Sequence, residues 1–265
     1  MQTTLGCIGC GNMGSAILRG LSGREGLRLV GCDPSGAKLA ALADAGVEGV
    51  ADIAAAVRAS DIVLVAVKPG QVGAVLGAAM PELDSGKVVV SIASGVSVGS
   101  LREMSGGRCP VVRVMPNTPA MVGAGVFALC FEDATLDEVR RTLVKELFEA
   151  LGRVLVLPEE KFNAFTAVVG CGPAYVFHFM EAVVEAAVTL GFPRHEATDM
   201  VVDLFAGSVK LAATSGTHLS LLREAVCSPA GNTIAAMNQF DRDAVRGRII
   251  DAILAAYRRG QEMER

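Results

Sequence analysis

Three glycines near the N-terminus have the spacing of a dinucleotide-binding turn. Gly9, Gly11 and Gly14 form Gly-x-Gly-x-x-Gly after a short apolar segment and before a helical pattern. The first glycine permits a tight turn, the second lets the backbone approach a pyrophosphate, and the third lets helix and strand pack closely. With 30 glycines in the chain, an ordinary strand-to-helix turn is the alternative. A second strand follows, so we assign this turn to a cofactor: Gly9, Gly11, Asn12, Met13 and Gly14.

An acidic residue follows the second predicted strand. Asp33 stands where a carboxylate usually accepts hydrogen bonds from the adenosine ribose and repels a 2′-phosphate, which favours NAD. Ser35 and Lys38 come directly afterwards and could hold that phosphate. Asp-Pro-Ser is also a good turn and helix start, which would give Asp33 a structural role. We assign all three residues to the cofactor site, and the choice between NADH and NADPH stays open.

A second segment supports a cofactor site. Ala66, Val67, Lys68 and Pro69 close another strand-like run. Residues at the carboxyl edge of a parallel sheet border the crevice in which dinucleotides lie. Lys68 is therefore expected to contact ribose or phosphate, although a plain exposed lysine explains it equally well.

Two further loops have the composition of binding loops. Arg113–Pro119 leaves a strand through two prolines, and Ser228–Thr233 opens a helix. A helix start offers free N–H groups and a positive dipole end, which bind carboxylates. Ser228 and Thr233 add hydroxyl groups. Taken alone, Ser-Pro is also an ordinary way to begin a helix.

Alternating apolar and helical segments predict an α/β fold. Two runs, Ile62–Val67 and Val88–Ile92, are apolar throughout, as in parallel strands covered on both faces. The predicted strands are Thr4–Ile8, Leu27–Cys32, Asp61–Val67, Lys87–Ala93, Val111–Met115, Val126–Phe131 and Arg153–Leu157. The predicted helices between them are Ser15–Leu21, Ala37–Ala45, Ile53–Ala59, Val72–Met80, Val98–Met104 and Leu136–Leu151. This order predicts a doubly wound sheet of the Rossmann type with a less regular edge.

The strand signal ends near Lys161. Helices are predicted at Pro173–Leu190, His195–Thr214, Gly231–Phe240 and Arg242–Gln261. The first has a single narrow polar stripe, so it should be buried on several sides, more than a small domain can achieve alone. We predict a dinucleotide-binding domain at 1–160 and an all-α substrate and dimerisation domain at 161–265.

Composition narrows the class of protein. A net charge of −4 without a dense basic cluster argues against nucleic acid as a partner. We find no apolar run near the ~18 residues of a membrane span and no leader-like N-terminus, so we expect a cytoplasmic protein without a membrane partner. Seven scattered cysteines fit reduced thiols, and no Cys/His set suggests a metal. Cys7 and Cys10 could form a redox pair, but coincidental spacing is the preferred interpretation.

Five motifs appear in an order that resembles one enzyme family. They are Gly-Cys-Gly-Asn-Met-Gly-Ser-Ala-Ile, Ala-Val-Lys-Pro, Arg-Val-Met-Pro-Asn-Thr-Pro, Gly-Cys-Gly-Pro-Ala-Tyr-Val-Phe and Ser-Pro-Ala-Gly-Asn-Thr. Together they resemble the pyrroline-5-carboxylate reductases over essentially the whole chain. The last two motifs make the resemblance specific, since a generic dinucleotide-binding protein has no reason to contain them.

The resemblance implies reduction of 1-pyrroline-5-carboxylate to L-proline with NADPH, or with NADH. Thr233 matches the family threonine near the imine nitrogen. The loop implied to hold the substrate carboxylate is Ser228, Pro229, Ala230, Gly231, Asn232 and Thr233. Asn117 and Pro119 match the segment beside the nicotinamide, and Gly9, Gly11, Met13, Gly14, Ala66 and Lys68 match cofactor-lining positions. The family also implies a homodimer through the helical domain, with further assembly into decamers.

Two residues depart from the family motifs. Cys171 replaces a serine in Gly-Ser-Gly-Pro-Ala-Tyr, and Ala230 replaces the first glycine of Ser-Pro-Gly-Gly. If that position needs a positive φ, Ala230 is strained there.

Two other classes of protein were considered. A 3-hydroxyacid dehydrogenase would need a lysine acid–base group on an early helix of the second domain, where neither Lys161 nor Lys210 fits well. A dinucleotide-sensing regulator would need the glycine turn without the Ser228–Thr233 loop. Substrate turnover separates the regulator from both enzymes.

Overall fold

The computed structural model describes residues 2–263, which form two compact units. The first comprises Met1–Cys171 with Tyr257–Arg265, and the second comprises Gly172–Ala256. The boundary between the two units therefore lies at Cys171–Gly172, about ten residues after the domain boundary that we predicted at residue 160. Phe162 and Phe165 are buried in the core of the first unit, which explains why the stretch before Cys171 packs with the sheet.

The first unit is built on one eight-stranded sheet. Its strands are β1 (Thr3–Ile8), β2 (Leu27–Cys32), β3 (Val47–Gly49), β4 (Ile62–Val65), β5 (Val88–Ser91), β6 (Val111–Met115), β7 (Gly125–Cys130) and β8 (Gly152–Val156). Their order is β3-β2-β1-β4-β5-β6-β7-β8. The six strands from β3 to β6 are parallel, while β7 runs antiparallel to β6 and β8 parallel to β7. The predicted doubly wound sheet is confirmed, and β3 was missed by the sequence analysis.

Helices cover both faces of this sheet. They are α1 (Asn12–Leu21), α2 (Gly36–Ala40), α3 (Ile53–Ala59), α4 (Val72–Ala79), α5 (Val98–Met104), α6 (Glu138–Glu149) and α7 (Phe162–Phe165). In β4, Leu64 faces the core formed with α1 and α6, and Val63 faces the core formed with α3, α4 and α5. This two-sided burial explains why the central strands are apolar throughout. The predicted helix Ala37–Ala45 is wrong in its second half, where α2 ends at Ala40 and a 3₁₀ turn follows at Ala43–Ala45.

The second unit is helical. Its helices are α8 (Gly172–Thr189), α9 (Arg194–Ser215), α10 (Leu219–Ala225), α11 (Asn232–Arg242) and α12 (Val245–Met263), the last of which continues into the first unit. Its small core contains Val184, Ala197 and Val201. In α9, a helix of 22 residues, Ala197 and Val201 are the buried residues. The single chain therefore leaves most of this apolar surface exposed.

One stretch contradicts the expectation about membrane spans. Glu159–Thr189, 31 residues with a mean hydropathy of 1.4, is long and apolar enough to cross a membrane by length and composition. It consists of a 3₁₀ turn, α7, a π turn at Thr166–Gly170 and α8. Apolar helices of soluble proteins pass the same test.

Candidate active site

The glycine turn joins β1 to α1 and depends on close packing. Gly9 has a φ of +98°, and a Cβ there would lie 2.7 Å from the carbonyl oxygen of Ala66. A Cβ on Gly14 would overlap the carbonyl oxygen of Gly9. Neither position accepts a side chain without a shift of the backbone. The tight turn and close helix packing predicted for these two glycines are thus present.

Gly11 has a different environment, which fits a bound pyrophosphate. A Cβ there would meet no described atom within 4 Å, so the backbone borders open space. Gly11 caps α1, and the first turn of that helix contains no acidic residue. Its first N–H groups have no partner within the helix and provide an anion site. Asn12 is exposed at the helix start, and Met13 packs against the core.

Two cavities lie beside the turn. One of about 820 Å³ is lined by residues that include Gly9, Asp33, Ser35, Lys38 and Val67. A second of about 490 Å³ adjoins Gly11 and the start of α1. Volumes of this size suit the two ends of a dinucleotide. The residues present therefore fit the cofactor that the glycine pattern predicts.

Asp33 is held by the protein itself. Its Oδ2 accepts the N–H of Cys10 at 2.8 Å and its Oδ1 accepts the N–H of Ser35 at 2.9 Å. The Lys38 ammonium lies 3.2 Å from Oδ2. Burial alone would raise the pKa of Asp33, but the two backbone N–H groups and Lys38 together hold it below its usual value. Asp33 thus ties the second strand to the glycine turn.

The Ala66–Pro69 segment packs on the same turn. The N–H of Ala66 donates to the carbonyl of Ile8 at 2.8 Å, so β1 and β4 end side by side. Val67 lines the larger cavity. Lys68 and Pro69 are exposed, and Lys68 forms no ion pair with any described residue. A contact between Lys68 and the cofactor stays a prediction.

Asn117 is buried, and its amide is engaged. Its Oδ1 accepts the N–H of Val126 at 2.9 Å, and its Nδ2 donates to the carbonyl of Val169 at 3.4 Å. It therefore ties the end of β6 to β7 and to the π turn. Pro119 is half-buried in the 3₁₀ turn that follows. Contact of either residue with a nicotinamide remains a prediction.

Sequence reasoning missed an ion pair beside this segment, between a buried arginine and a partly exposed glutamate. The Arg113 guanidinium donates to Oε1 of Glu159 at 3.0 Å and lies 4.8 Å from the ring centroid of Phe162. The same Oε1 accepts the N–H of Val98 at 2.7 Å, at the start of α5. Arg113 is 3% exposed. Its only signal in the sequence is a charge within an otherwise apolar strand.

The Ser228–Thr233 loop lies in the second unit and opens α11. Ala230 has a φ of +55°, so this alanine does occupy the left-handed region. A Cβ on Gly231 would overlap the Ser228 hydroxyl, so a side chain there would displace that hydroxyl from its present position. Pro229 and Asn232 are exposed, and Thr233 is half-buried.

The start of α11 has the features of an anion site. Gly231 caps the helix, and its N–H donates to the carbonyl of Ser228 at 3.1 Å. By helix geometry, the N–H groups of Asn232 and Thr233 have no acceptor within the helix. The first turn of α11 contains no acidic residue. A carboxylate can therefore bind there.

Most cysteines of the described residues are buried, and all are free thiols. Cys7 in β1 and Cys10 within the glycine turn are buried free thiols. The N–H of Cys171 donates to the carbonyl of Thr166 at 2.8 Å and closes the π turn, so the turn tolerates cysteine here. Within residues 2–263, no group of three His, Cys, Asp or Glu residues is placed to hold a metal ion.

Comparison with known proteins agrees with both parts of the chain. A family model described as pyrroline-5-carboxylate reductase dimerisation matches residues 159–263, and one described as NADP oxidoreductase, coenzyme F420-dependent, matches residues 4–95. Pyrroline-5-carboxylate reductase of Escherichia coli is 35% identical over 100% of both chains. That of Pisum sativum is 33% identical over 98% of this chain and 96% of its own.

A solved structure agrees as well. Plasmodium falciparum pyrroline carboxylate reductase with NADP bound has a TM-score of 0.90 and 29% identity, with 99% of this chain and 98% of that chain covered. The fold and the glycine turn define a two-part oxidoreductase, with a Rossmann-type sheet followed by a helical region. More specifically, the chain belongs to the pyrroline-5-carboxylate reductase family. This membership removes the 3-hydroxyacid dehydrogenase alternative.

Proposed function

We propose that this chain reduces 1-pyrroline-5-carboxylate to L-proline, the last step of proline biosynthesis, with NADPH as the cofactor and NADH as a second donor. The observation that carries the proposal is the 35% identity to the Escherichia coli enzyme along the full length of both chains. The intact glycine turn supports it. The anion-binding start of α11 supports it independently.

The first unit supplies the cofactor site. The N–H groups at the start of α1 bind the pyrophosphate, and Gly11 leaves them accessible. Asp33 holds the turn in shape through Cys10. When bound, the reduced nicotinamide supplies the hydride. Asn117 fixes the end of β6, the segment assigned to the nicotinamide end, by its bonds to Val126 and Val169.

The second unit supplies the substrate site. The N–H groups at the start of α11 hold the substrate carboxylate, assisted by the Ser228 hydroxyl. Through its hydroxyl oxygen, Thr233, one residue into the helix, accepts a hydrogen bond from the protonated ring nitrogen and so orients the proton there. A threonine hydroxyl is a poor acid by itself. Its contribution is therefore to align an already protonated imine for hydride transfer.

The assembly is proposed on separate grounds. A family model named for dimerisation matches residues 159–263. Large apolar side chains of α8, α9 and α12 are exposed in the single chain, including Phe177, Leu204, Val209, Ile250 and Leu254. We infer a homodimer through these helices, in which α8, the later part of the apolar stretch Glu159–Thr189, packs against a partner and not in a membrane. Higher assembly into decamers and a cytoplasmic location complete the proposal.

Substrate-dependent oxidation of NADPH tests the proposed activity. The purified chain is expected to oxidise NADPH only when 1-pyrroline-5-carboxylate is present. It should also oxidise NADH, and the ratio of the two rates measures its cofactor preference. Thr233→Ala should lower kcat about tenfold or more and leave NADPH affinity unchanged, and Thr233→Ser should restore most of the rate. A folded protein that binds NADPH but never turns over would point to the dinucleotide sensor instead. An unchanged kcat in Thr233→Ala would remove Thr233 from the mechanism.

A further inference from the structure

Two buried thiols, Cys7 and Cys10, lie side by side at the glycine turn. Cys7 is in β1, and its register partner in β2 is Gly31. Register partners on parallel strands present their side chains on the same face, so the space over Gly31 adjoins the Cys7 thiol. Cys10 fills that space, because a Cβ on Gly31 would lie 3.3 Å from the Cys10 Sγ. Both thiols belong to the core formed with α1.

The surroundings make the two thiols unequal. Cys10 precedes Gly11, the N-cap of α1, and the positive end of a helix favours a thiolate. A hydrogen bond from the Cys7 thiol lowers the pKa of the Cys10 thiol, and the same contact, together with burial, raises the pKa of Cys7 well above its usual value. Cys10 also lines the cavity of about 490 Å³ at the start of α1, which leads a small solute to the turn. Cys10 is therefore the more reactive thiol.

Both cysteines help to hold the turn in its present shape. The Cys7 thiol donates to the carbonyl of Gly9 at 3.5 Å, and the N–H of Cys10 donates to Oδ2 of Asp33 at 2.8 Å. A disulfide joins the two sulfur atoms covalently, so they must come much closer than free thiols do. Forming it would remove the hydrogen that Cys7 donates and draw Cys10 away from Asp33. The backbone of Gly11, next in the chain, would move with Cys10.

We propose that hydrogen peroxide converts Cys7 and Cys10 to a disulfide and that this bond turns off dinucleotide binding. The Cys10 thiolate attacks one peroxide oxygen, the O–O bond breaks, and the hydroxide that leaves takes up a proton, which gives a sulfenic acid and water. The Cys7 sulfur then attacks the Cys10 sulfur, the S–S bond forms as the S–O bond breaks, and the Cys7 proton leaves with the hydroxide as a second water. The two thiols together lose two electrons, and a dithiol reductant reverses the change.

Peptide mapping of the full chain after peroxide treatment tests the bond directly. Trypsin cleaves after Arg19, so residues 1–19 form one peptide, in which the cysteines are Cys7 and Cys10. When the remaining thiols are alkylated, mass spectrometry should find this peptide without alkyl groups and lighter than its reduced form by the two thiol hydrogens. Dithiothreitol should restore alkylation at both cysteines. A peptide that stays alkylated at both after peroxide would overturn the proposal.

The fluorescence of bound NADPH tests the consequence for binding. This inference rests on the proposed function, because it takes the glycine turn as the cofactor site. The oxidised chain should bind NADPH at least about tenfold more weakly than the reduced chain, as expected when one hydrogen bond to the charged pyrophosphate is lost. In Cys7→Ser, which keeps a donor for the Gly9 carbonyl, and in Cys7→Ala, peroxide should change NADPH affinity less than about twofold.

Cys109→Ser is the matched control for these variants. Cys109 is also a buried free thiol, but it lies in the core on the other face of the sheet, and burial raises its pKa to about 11. This variant should therefore lose NADPH affinity on oxidation as fully as the unaltered chain does. An equal loss in Cys7→Ser and in the unaltered chain would overturn the proposal, because the bond could not be its cause.

The outcomes separate this proposal from the proposed reaction. Peroxide-sensitive NADPH binding in a chain that never reduces 1-pyrroline-5-carboxylate would leave the switch standing and reject the reaction. Full turnover by a chain whose peptide 1–19 contains the disulfide would reject the switch and leave the reaction standing. A reduced chain that binds no NADPH would overturn the proposal, since the turn would then not be a dinucleotide site.

Discussion

Ala230 shows how one residue can hold a strained backbone at a binding loop. It adopts a φ of +55° where the family motif has glycine. Placing a residue other than glycine in this region of φ lowers the stability of the folded chain by about 1–2 kcal/mol. Glycine avoids that steric cost but loses more conformational entropy on folding, which costs about 0.5–1 kcal/mol. The two effects partly cancel, so the strain persists in a stable protein.

Ala230→Gly is therefore expected to stabilise the chain by at most about 1 kcal/mol in urea unfolding. Because the loop gains freedom to adapt to the carboxylate, KM for 1-pyrroline-5-carboxylate should change while NADPH affinity stays constant. Ala244→Gly is the matched control, since Ala244 has a φ of +52° outside this loop. It should give the same gain in stability with KM unchanged. Equal effects of both variants on KM would contradict a role of Ala230 at the substrate.

The buried carboxylate of Asp33 predicts a pH-dependent contribution to stability. Its pKa is lowered in the folded chain, so its stabilising effect is present above the unfolded value of about 3.9 and is lost as the pH falls through the folded value. Asp33→Asn should cost about 1–3 kcal/mol near neutral pH, because the N–H groups of Cys10 and Ser35 lose a charged acceptor.

Urea unfolding of the unaltered chain and of Asp33→Asn at several pH values tests this pH-dependent contribution to stability. The difference between the unaltered chain and Asp33→Asn should be constant from about pH 7 to about pH 5 and shrink below about pH 4. A difference that stays constant into the acid range would mean that the Asp33 charge contributes nothing to folding.

At the scale of elements, the Arg113–Glu159 pair connects three segments. It links β6 to the chain before α7, and Glu159 also accepts the N–H of Val98 at the start of α5. Losing one partner of a fully buried ion pair costs about 3 kcal/mol or more. The Glu159 side chain is 24% exposed, so water offsets part of that cost here. Arg113 lies four residues before Asn117 in the chain, so the pair also supports the end of β6 next to Asn117.

Arg113→Met should therefore lower the free energy of unfolding by up to about 3 kcal/mol, and Arg113→Lys should cost less because it keeps the charge. Arg28→Met serves as the control, since the Arg28–Glu48 pair is exposed and should be worth less than about 1 kcal/mol. Comparable losses in Arg113→Met and Arg28→Met would show that the Arg113–Glu159 pair has no special role.

Local sequence patterns predicted the helices and strands better than they predicted how the strands are arranged in the sheet. Helices α3 and α5 have the predicted bounds, because Asp52 and Ser97 are N-cap residues that mark their starts. The short β3 and α10 were missed, since three and seven residues give too little periodicity. The reversed direction of β7 was also hidden, because an apolar pattern does not encode strand direction.

In the candidate site, too, local patterns were predictable and contacts between distant residues were not. The glycine turn was predictable because its chemistry requires fixed spacing. The role of Asp33 was left between two interpretations, and only the structure shows both oxygens engaged. Arg113 and Glu159 are 46 residues apart, a separation that no local pattern reveals.

At the scale of the molecule, the exposed apolar helices predict a dimer. Light scattering should give twice the mass of one chain at micromolar concentration. Leu204→Glu combined with Val209→Glu places two charges on α9 and should produce monomers, because each buried charge without a partner costs several kcal/mol. Val139→Glu, on α6 and 78% exposed, is the control and should stay dimeric. A monomeric unaltered chain would contradict the proposed interface.

The most direct test of the proposed reaction follows the hydride itself. The chain is incubated with 1-pyrroline-5-carboxylate and NADPH labelled with deuterium at C4 of the nicotinamide, on one face and then on the other. We expect L-proline with one deuterium at the former imine carbon from one of the two labelled cofactors, and the signal should fall sharply in Thr233→Ala. Proline without deuterium from either cofactor, or no proline at all from the folded, cofactor-binding chain, would contradict the assignment of this protein as the reductase.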